Sequence, residues 1–248
     1  MGRDEGPADA ARHAVTAQAG ATAATVSGWR FGSRVERVRA SHSFGLVLVL
    51  IVASFVFAAV APDGAWASGL LLLAETFTFA AALWTTGVAR QDSKLSLALI
   101  VLAAAAALAL VIVGGDALTG AVGLLSGLLT VATIAAIVLG VSDQTEVNAQ
   151  SVTGAICVYL LFGMLFLFLY SVAATLGSGP FFAQGTDGTR SIRLYFSYVT
   201  LATLGYGDYT PAGGIGRTLA IVEAIFGQLY LITVVAVLVS RMHVRRRD

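Results

Sequence analysis

The run Thr200-Leu201-Ala202-Thr203-Leu204-Gly205-Tyr206-Gly207-Asp208 combines residue types whose spacing lets the backbone itself do chemistry. Gly205 and Gly207 lack a Cβ, so both can take positive φ and let successive carbonyls turn to one side of an extended segment. A row of such carbonyls, with the Thr203 hydroxyl at its inner end, is a set of hard oxygen ligands able to replace the hydration shell of a monovalent cation. A chance Gly-Tyr-Gly is expected roughly 0.1 times in a chain with 27 Gly and 7 Tyr among 248 residues, and the Thr and Asp at fixed spacing take chance below about one in ten thousand.

Such a run needs elements that hold it at membrane depth, and the composition supplies them. Hydrophobic residues make up 57% of the chain and charged residues 12%, with a mean hydropathy of +0.84, far from a soluble globular domain. The reading is an all-α membrane protein. Six segments of mostly apolar residues approach or meet the roughly twenty needed to cross a bilayer: 44–61, 67–88, 95–114, 118–139, 152–176 and 215–239. They divide the chain into a tail at 1–43, a four-helix region at 44–141 and a pore segment at 150–242.

Charge placement sets the expected orientation in the cell membrane. Arg30, Arg34, Arg37 and Arg39 precede the first segment, Arg90 and Lys94 follow the second, and Arg241, Arg245, Arg246 and Arg247 close the chain, whereas Asp63 and Asp116 follow the first and third. The positive-inside rule then puts both termini in the cytoplasm. Asp143 and Glu146 lie in a loop on the same side, but acidic residues weigh little in that rule. The N-terminal arginines suit anionic lipid headgroups, either as a solvated arm or as one face of a short interfacial helix with Trp29 and Phe31. Residues 1–28 read as a disordered tail without a signal peptide. Fewer than ten residues follow the sixth segment, so no soluble ligand-binding domain is expected. Cys157, the single cysteine, reads as a packed hydrophobe. His13, His42 and His243 are too scattered for a metal site.

Residues 177–214 are too apolar for a purely extracellular loop and too short for another span with its connections, so they are expected to re-enter the membrane between the fifth and sixth spans. Within them 189–202 reads as a short pore helix, with Asp187 or Thr189 as its N-cap. Its C-terminal end is expected to point inward, where the dipole favours a cation in a central cavity. Residues 203–207 follow as the selectivity filter. One copy per chain implies a homotetramer, since a closed ring needs several.

Residues 152–242 resemble the two-transmembrane pore domain of bacterial tetrameric potassium channels, on the match of Thr203, Gly205, Tyr206, Gly207 and Asp208 to the family's filter motif. Leu204 stands where Val or Ile is usual, a conservative change at a position that contributes its carbonyl. The resemblance implies K+ coordinated at Thr203, Leu204, Gly205 and Tyr206 as the permeant ion, no further cofactor, and no nucleic-acid partner. It implies filter support from Asp208, Tyr195 and Thr200, and a Tyr206 ring turned into an aromatic shell for which Tyr195, Phe196 and Tyr198 are candidates. Pro211 and Arg217 also fit the family pattern. Ala202 and Val199 depart from it. Val199 replaces a buried Glu found behind the filter in one group, so Asp208 needs another partner, expected to be the Tyr195 hydroxyl.

Gly227 interrupts the last apolar segment, either as a gating hinge or as a close helix contact. Glu223, one turn earlier, is expected to pack behind the pore helix and accept hydrogen bonds, with gating as an alternative role. Glu75 in the second segment is a further intramembrane acid, expected near the outer end, within reach of water, Thr76 or Thr78. The fourth segment, 118–139, carries no charge. A voltage sensor gains about 2.3 kcal/mol per charge per 100 mV, so these four spans are read as a structural collar without voltage sensing. Paired carboxylates, a nucleophile with a base and a metal-ligand cluster are all missing from the pattern, which argues against an enzyme. A weakly selective cation channel and a nonconducting scaffold or regulatory subunit remain the alternatives to a potassium channel.

Overall fold

Apolar runs of this length leave the chain one local solution, because in hydrocarbon every backbone N–H and C=O must be paired within the segment. The computed structural model describes residues 43–86, 93–113, 116–142 and 149–244. Helices form wherever the six apolar segments were read: α1 (Ser43–Val60), α2 (Ala65–Thr86), α3 (Ser93–Val113), α4 (Asp116–Ser142), α5 (Ala149–Leu176) and α7 (Gly214–Val244), with the shorter α6 (Arg190–Leu201) between the last two. Among the described residues there is no strand; Phe182 makes isolated bridges to Thr186 and Pro211. The basic stretch from Arg30 to Arg39, Arg90, Asp143, Glu146, His13, His42 and the arginines at 245–247 lie outside the described residues.

Four of these helices are long and apolar enough to cross a membrane: α2, α4 from Gly120, α5, and α7 as far as Val234. At 1.5 Å per residue the 22 residues of α2 span about 33 Å, close to a hydrocarbon core. Phe44–Val60 of α1 and Leu97–Ala109 of α3 are apolar but shorter. The chain is a multi-pass membrane protein.

Packing starts from α2, which contacts α1, α3 and α4, while α4 and α1 both lean on α5. The largest core cluster joins Val47 and Ile51 of α1, Leu72 and Phe79 of α2, Leu129 and Ile137 of α4, and Leu161 of α5. The collar and the pore segment therefore share one core. Three buried threonine hydroxyls of the collar are satisfied inside their own helices: Thr76 donates to the Leu72 carbonyl at 2.7 Å, Thr78 to Ala74 at 2.8 Å and Thr133 to Leu129 at 2.7 Å. That bonding to the preceding turn lets a polar residue sit among apolar neighbours without a tertiary partner.

α6 lies between α5, α7 and α1. Gly163 of α5 makes this approach possible, since a Cβ there would come within 2.5 Å of the Tyr198 ring. Tyr198 is fixed from two sides: its hydroxyl donates to the Leu160 carbonyl at 2.6 Å, and its ring meets Phe55 of α1 edge-on at 5.0 Å. A Gly163→Ala change should displace this ring and lower stability by about 1–3 kcal/mol, read as a fall in the thermal midpoint of the detergent-solubilised protein. Gly45→Ala, with nothing within 4 Å of the added methyl, should leave the midpoint unchanged or raise it.

Candidate functional site

The site is built on α6, whose N-terminal donors are met by two acceptors. Thr189 is the N-cap, its hydroxyl accepting from Ile192 N–H at 3.3 Å. Asp187, the other cap candidate, instead accepts from Phe181 N–H at 2.8 Å and closes the loop before the helix. Asp63, in the α1–α2 loop, accepts from the Arg190 N–H with both oxygens, at 3.1 and 3.3 Å. A carboxylate at a helix N-terminus is favoured by the dipole, and here it comes from the collar, 127 residues away in sequence.

At its other end α6 hands its free carbonyls to the chain that follows. Thr203 N–H donates to the Thr200 carbonyl at 2.9 Å, and the Val199 carbonyl takes both Leu204 N–H at 2.9 Å and Gly205 N–H at 3.4 Å. The first three amides of the predicted filter thus point back to the helix. Thr200 supports the run through this backbone carbonyl. Positive φ occurs at every second residue, 58° at Thr203, 54° at Gly205 and 81° at Gly207. The two glycines take the values their lack of a Cβ permits. Thr203 is a β-branched residue in a region such residues avoid, at a cost of about 1–3 kcal/mol that the surrounding bonds must offset. Alternation of hand along 203–207 lets successive carbonyls share one side.

Asp208 closes the run. Its carboxylate accepts from the Tyr195 hydroxyl at 2.8 Å, the partner expected from sequence, and its backbone carbonyl accepts from the Gln184 side-chain amide at 2.7 Å. The Tyr206 ring stacks on Tyr195, 6.4 Å apart and 7° from parallel. Within the single chain the other two aromatic candidates pack elsewhere. Phe196 packs against Tyr170 and Phe182 at 5.1 and 5.4 Å, and Tyr198 is held by Leu160 and Phe55. Tyr206 itself is 67% exposed in the single chain. Pro211 bridges to Phe182, and Arg217 Nε donates to the Pro211 carbonyl at 3.2 Å.

Behind α6, Glu223 of α7 is wholly buried and accepts from Ser197 Oγ and Tyr170 Oη, each at 2.5 Å. One carboxyl therefore ties α5, α6 and α7 together. Gly227 lies a turn further along an α7 that continues unbroken to Val244, and a Cβ there would come within 2.5 Å of the Leu201 carbonyl oxygen. Of the two readings of Gly227, close packing has a direct structural reason. Glu75 is not part of this assembly. It sits in the middle of α2, not near its end, is 1% exposed, and faces Thr130 Oγ1 of α4 at 3.4 Å. Thr76 and Thr78 are unavailable to it because their hydrogens go to their own helix.

Ser197, Tyr170, Gln184, Phe182 and Asp63 are the supporting residues that sequence reasoning missed. A small polar residue amid the aromatic α6 was a usable signal for Ser197; Gln184 gave none. Replacing Glu223 by Ala should strand the buried Tyr170 hydroxyl at about 1–3 kcal/mol, while Ser197 Oγ keeps the Gly163 carbonyl at 2.8 Å, and Glu223→Gln, which keeps an acceptor, should be milder. Thermal midpoints in detergent that fall equally for both variants would contradict this role.

Residues 154–243, a little over a third of the chain, match the family described as ion channel. A protein of Methanocaldococcus jannaschii named probable potassium channel protein 2 is 46% identical over 46 residues, covering 17% of this chain and 13% of that protein. The matched stretch thus spans only a small part of that relative's length. No solved structure matches the chain. The match covers α6, the 203–208 run, nearly all of α7 and most of α5, and in this segment the chain is similar to the ion channel family.

Proposed function

We propose that the chain is a potassium-selective channel that passes K+ down its electrochemical gradient through the centre of a homotetramer. The observation that carries the reading is the positive φ at Thr203, Gly205 and Gly207, with the amides of 203–205 tied back to α6. In four copies this backbone gives rings of carbonyls at Thr203, Leu204, Gly205 and Tyr206, with the Thr203 hydroxyl innermost, as replacement for the ion's hydration shell. K+ is the permeant ion, and the reading includes no cofactor and no enzymatic step.

Exposure supports the oligomer. Every residue from Ala202 to Asp208 is exposed in the single chain, a state of backbone that membrane depth permits only where it lines a pore or meets protein. The window of α7 from Gly214 to Val234 is 17% buried, against 44–56% for the other three long helices, leaving Ile225, Leu229 and Ile232 free to meet neighbouring copies. α1 to α5 and α7 then make six spans, with α6 and the filter re-entrant between the last two and both termini in the cytoplasm of a cell-membrane protein. α4 contains no Lys or Arg, so opening is not driven by charge movement in that helix. The name of the Methanocaldococcus protein supports potassium as the ion.

Proteoliposomes loaded with K+ should release it when purified protein is present, with Na+ loading giving at least about a hundredfold slower flux, and Gly205→Ala should abolish release while the oligomer stays tetrameric. Equal K+ and Na+ release would leave a weakly selective cation channel, and an intact tetramer that releases neither ion would leave a scaffold. Tyr195→Phe removes the hydroxyl on Asp208 and should change the decay of current during sustained opening; unaltered conduction and decay would mean that this bond does not hold the outer filter.

A further inference from the structure

A cavity of about 450 Å3 opens where the α1–α2 loop meets the first turn of α6, the early turns of α4 and the last third of α5. Its polar wall holds Asp63, Arg190 and Arg193, two guanidinium groups against one carboxylate. Arg190 is 93% buried by its 7% exposure. Its Nη2 donates to Ser68 Oγ at 2.9 Å, but its Nη1 is buried without an acceptor. Among the described residues only Ser54 Oγ shares that condition. Buried arginine donors are normally satisfied, because an uncompensated one is costly.

The nearby acceptors are engaged elsewhere. Asp63 turns its carboxylate to the Arg190 backbone N–H. Arg193 gives Nε to Ser171 at 3.0 Å and Nη1 to the carbonyls of Asp187 and Gly188 at 3.0 and 2.7 Å, all uncharged groups. The Asp63 and Asp187 carboxylates offset charge on the two guanidinium groups without bonding to Arg190 Nη1, so what the cavity leaves open is that buried donor. Across from the arginines the cavity is lined by Leu71, Val122, Leu167 and Phe168, and its volume is that of an organic ligand and not of a lone anion.

We propose that this cavity binds a phosphate-bearing anion that accepts from Arg190 Nη1, and that the phosphate belongs to an anionic phospholipid whose glycerol and first acyl carbons lie on the apolar wall. Guanidinium is the side chain best shaped for phosphate oxygens, and an amphiphile satisfies both walls at once. Because α6 begins at this cavity, the bound head group fastens the first turn of the pore helix to the collar.

The test uses the full chain purified in an uncharged detergent, with binding followed by native mass spectrometry and thermal unfolding on addition of phosphatidylglycerol, phosphatidylcholine or inorganic phosphate. Phosphatidylglycerol should bind and raise the midpoint, and phosphatidylcholine should not at the same mole fraction. Arg190→Gln and, separately, Gly123→Leu should each weaken binding at least about tenfold. Gly123 lines the cavity with only Val172 near an added Cβ, at 3.8 Å, so filling the space there leaves the Arg190 bonds intact and separates loss of the site from misfolding. A midpoint rise with inorganic phosphate that Arg190→Gln removes would support the phosphate site and assign it to the free ion. Phosphatidylglycerol binding that both variants retain, or no binding of either anion to the unmodified chain, would overturn the proposal. Binding is read without ion flux, so either outcome is independent of conduction.

Discussion

A polypeptide at membrane depth has no water to satisfy its amides, and non-helical backbone survives there only if each polar group has a partner or a water-filled space. Residues 203–207 meet that constraint asymmetrically. Their first three N–H groups are spent on the Thr200 and Val199 carbonyls of α6, and the alternating φ at Thr203, Gly205 and Gly207 arranges the rest of the backbone around that choice. Carbonyls left over by this arrangement are what the proposed channel would offer an ion. The strain at Thr203 follows from the same demand, since the first flipped residue after a helix must take a positive φ whether or not its side chain favours one.

A segment held this way is only as rigid as the helix behind it, and α6 is fixed from every direction. Asp63 and Thr189 hold its N-terminus, Ser197 reaches Glu223 at its back, Tyr198 is locked against Leu160 and Phe55, and Tyr195 reaches forward to Asp208. Two of these ties come from the collar, through Asp63 and Phe55. α1 and the α1–α2 loop thus brace α6 directly, through contacts that involve no charge movement. Outside the filter, the Phe181, Phe182, Phe196 and Tyr170 cluster and the Gln184 hook hold the loop that returns the chain to α7.

What was legible in sequence follows from how far each signal reaches. Length and hydropathy placed all six long helices, because bilayer thickness and backbone pairing constrain them locally. The Thr189–Ala202 helix and the positive φ of two glycines were equally local. The Tyr195 to Asp208 bond was readable because both ends lie within 13 residues on elements of known geometry. The depth of Glu75 was misread, since it depends on where neighbouring helices sit, and so does the packing of Phe196 and Tyr198 within the chain. Asp63 at the head of α6, 127 residues distant, and the unpaired Arg190 Nη1 leave no trace in local pattern at all. The close approach of Gly227 to the Leu201 carbonyl is likewise a tertiary feature that the α7 sequence does not name.

The central claim is that the backbone of residues 203–206 is the ion path. Anomalous diffraction from the protein crystallised in Rb+ tests it most directly. The account predicts a row of anomalous peaks on a fourfold axis, lying between successive levels of the Thr203, Leu204, Gly205 and Tyr206 carbonyls. A tetramer with no peaks on that axis, or with peaks held only by side chains away from this run, would contradict it.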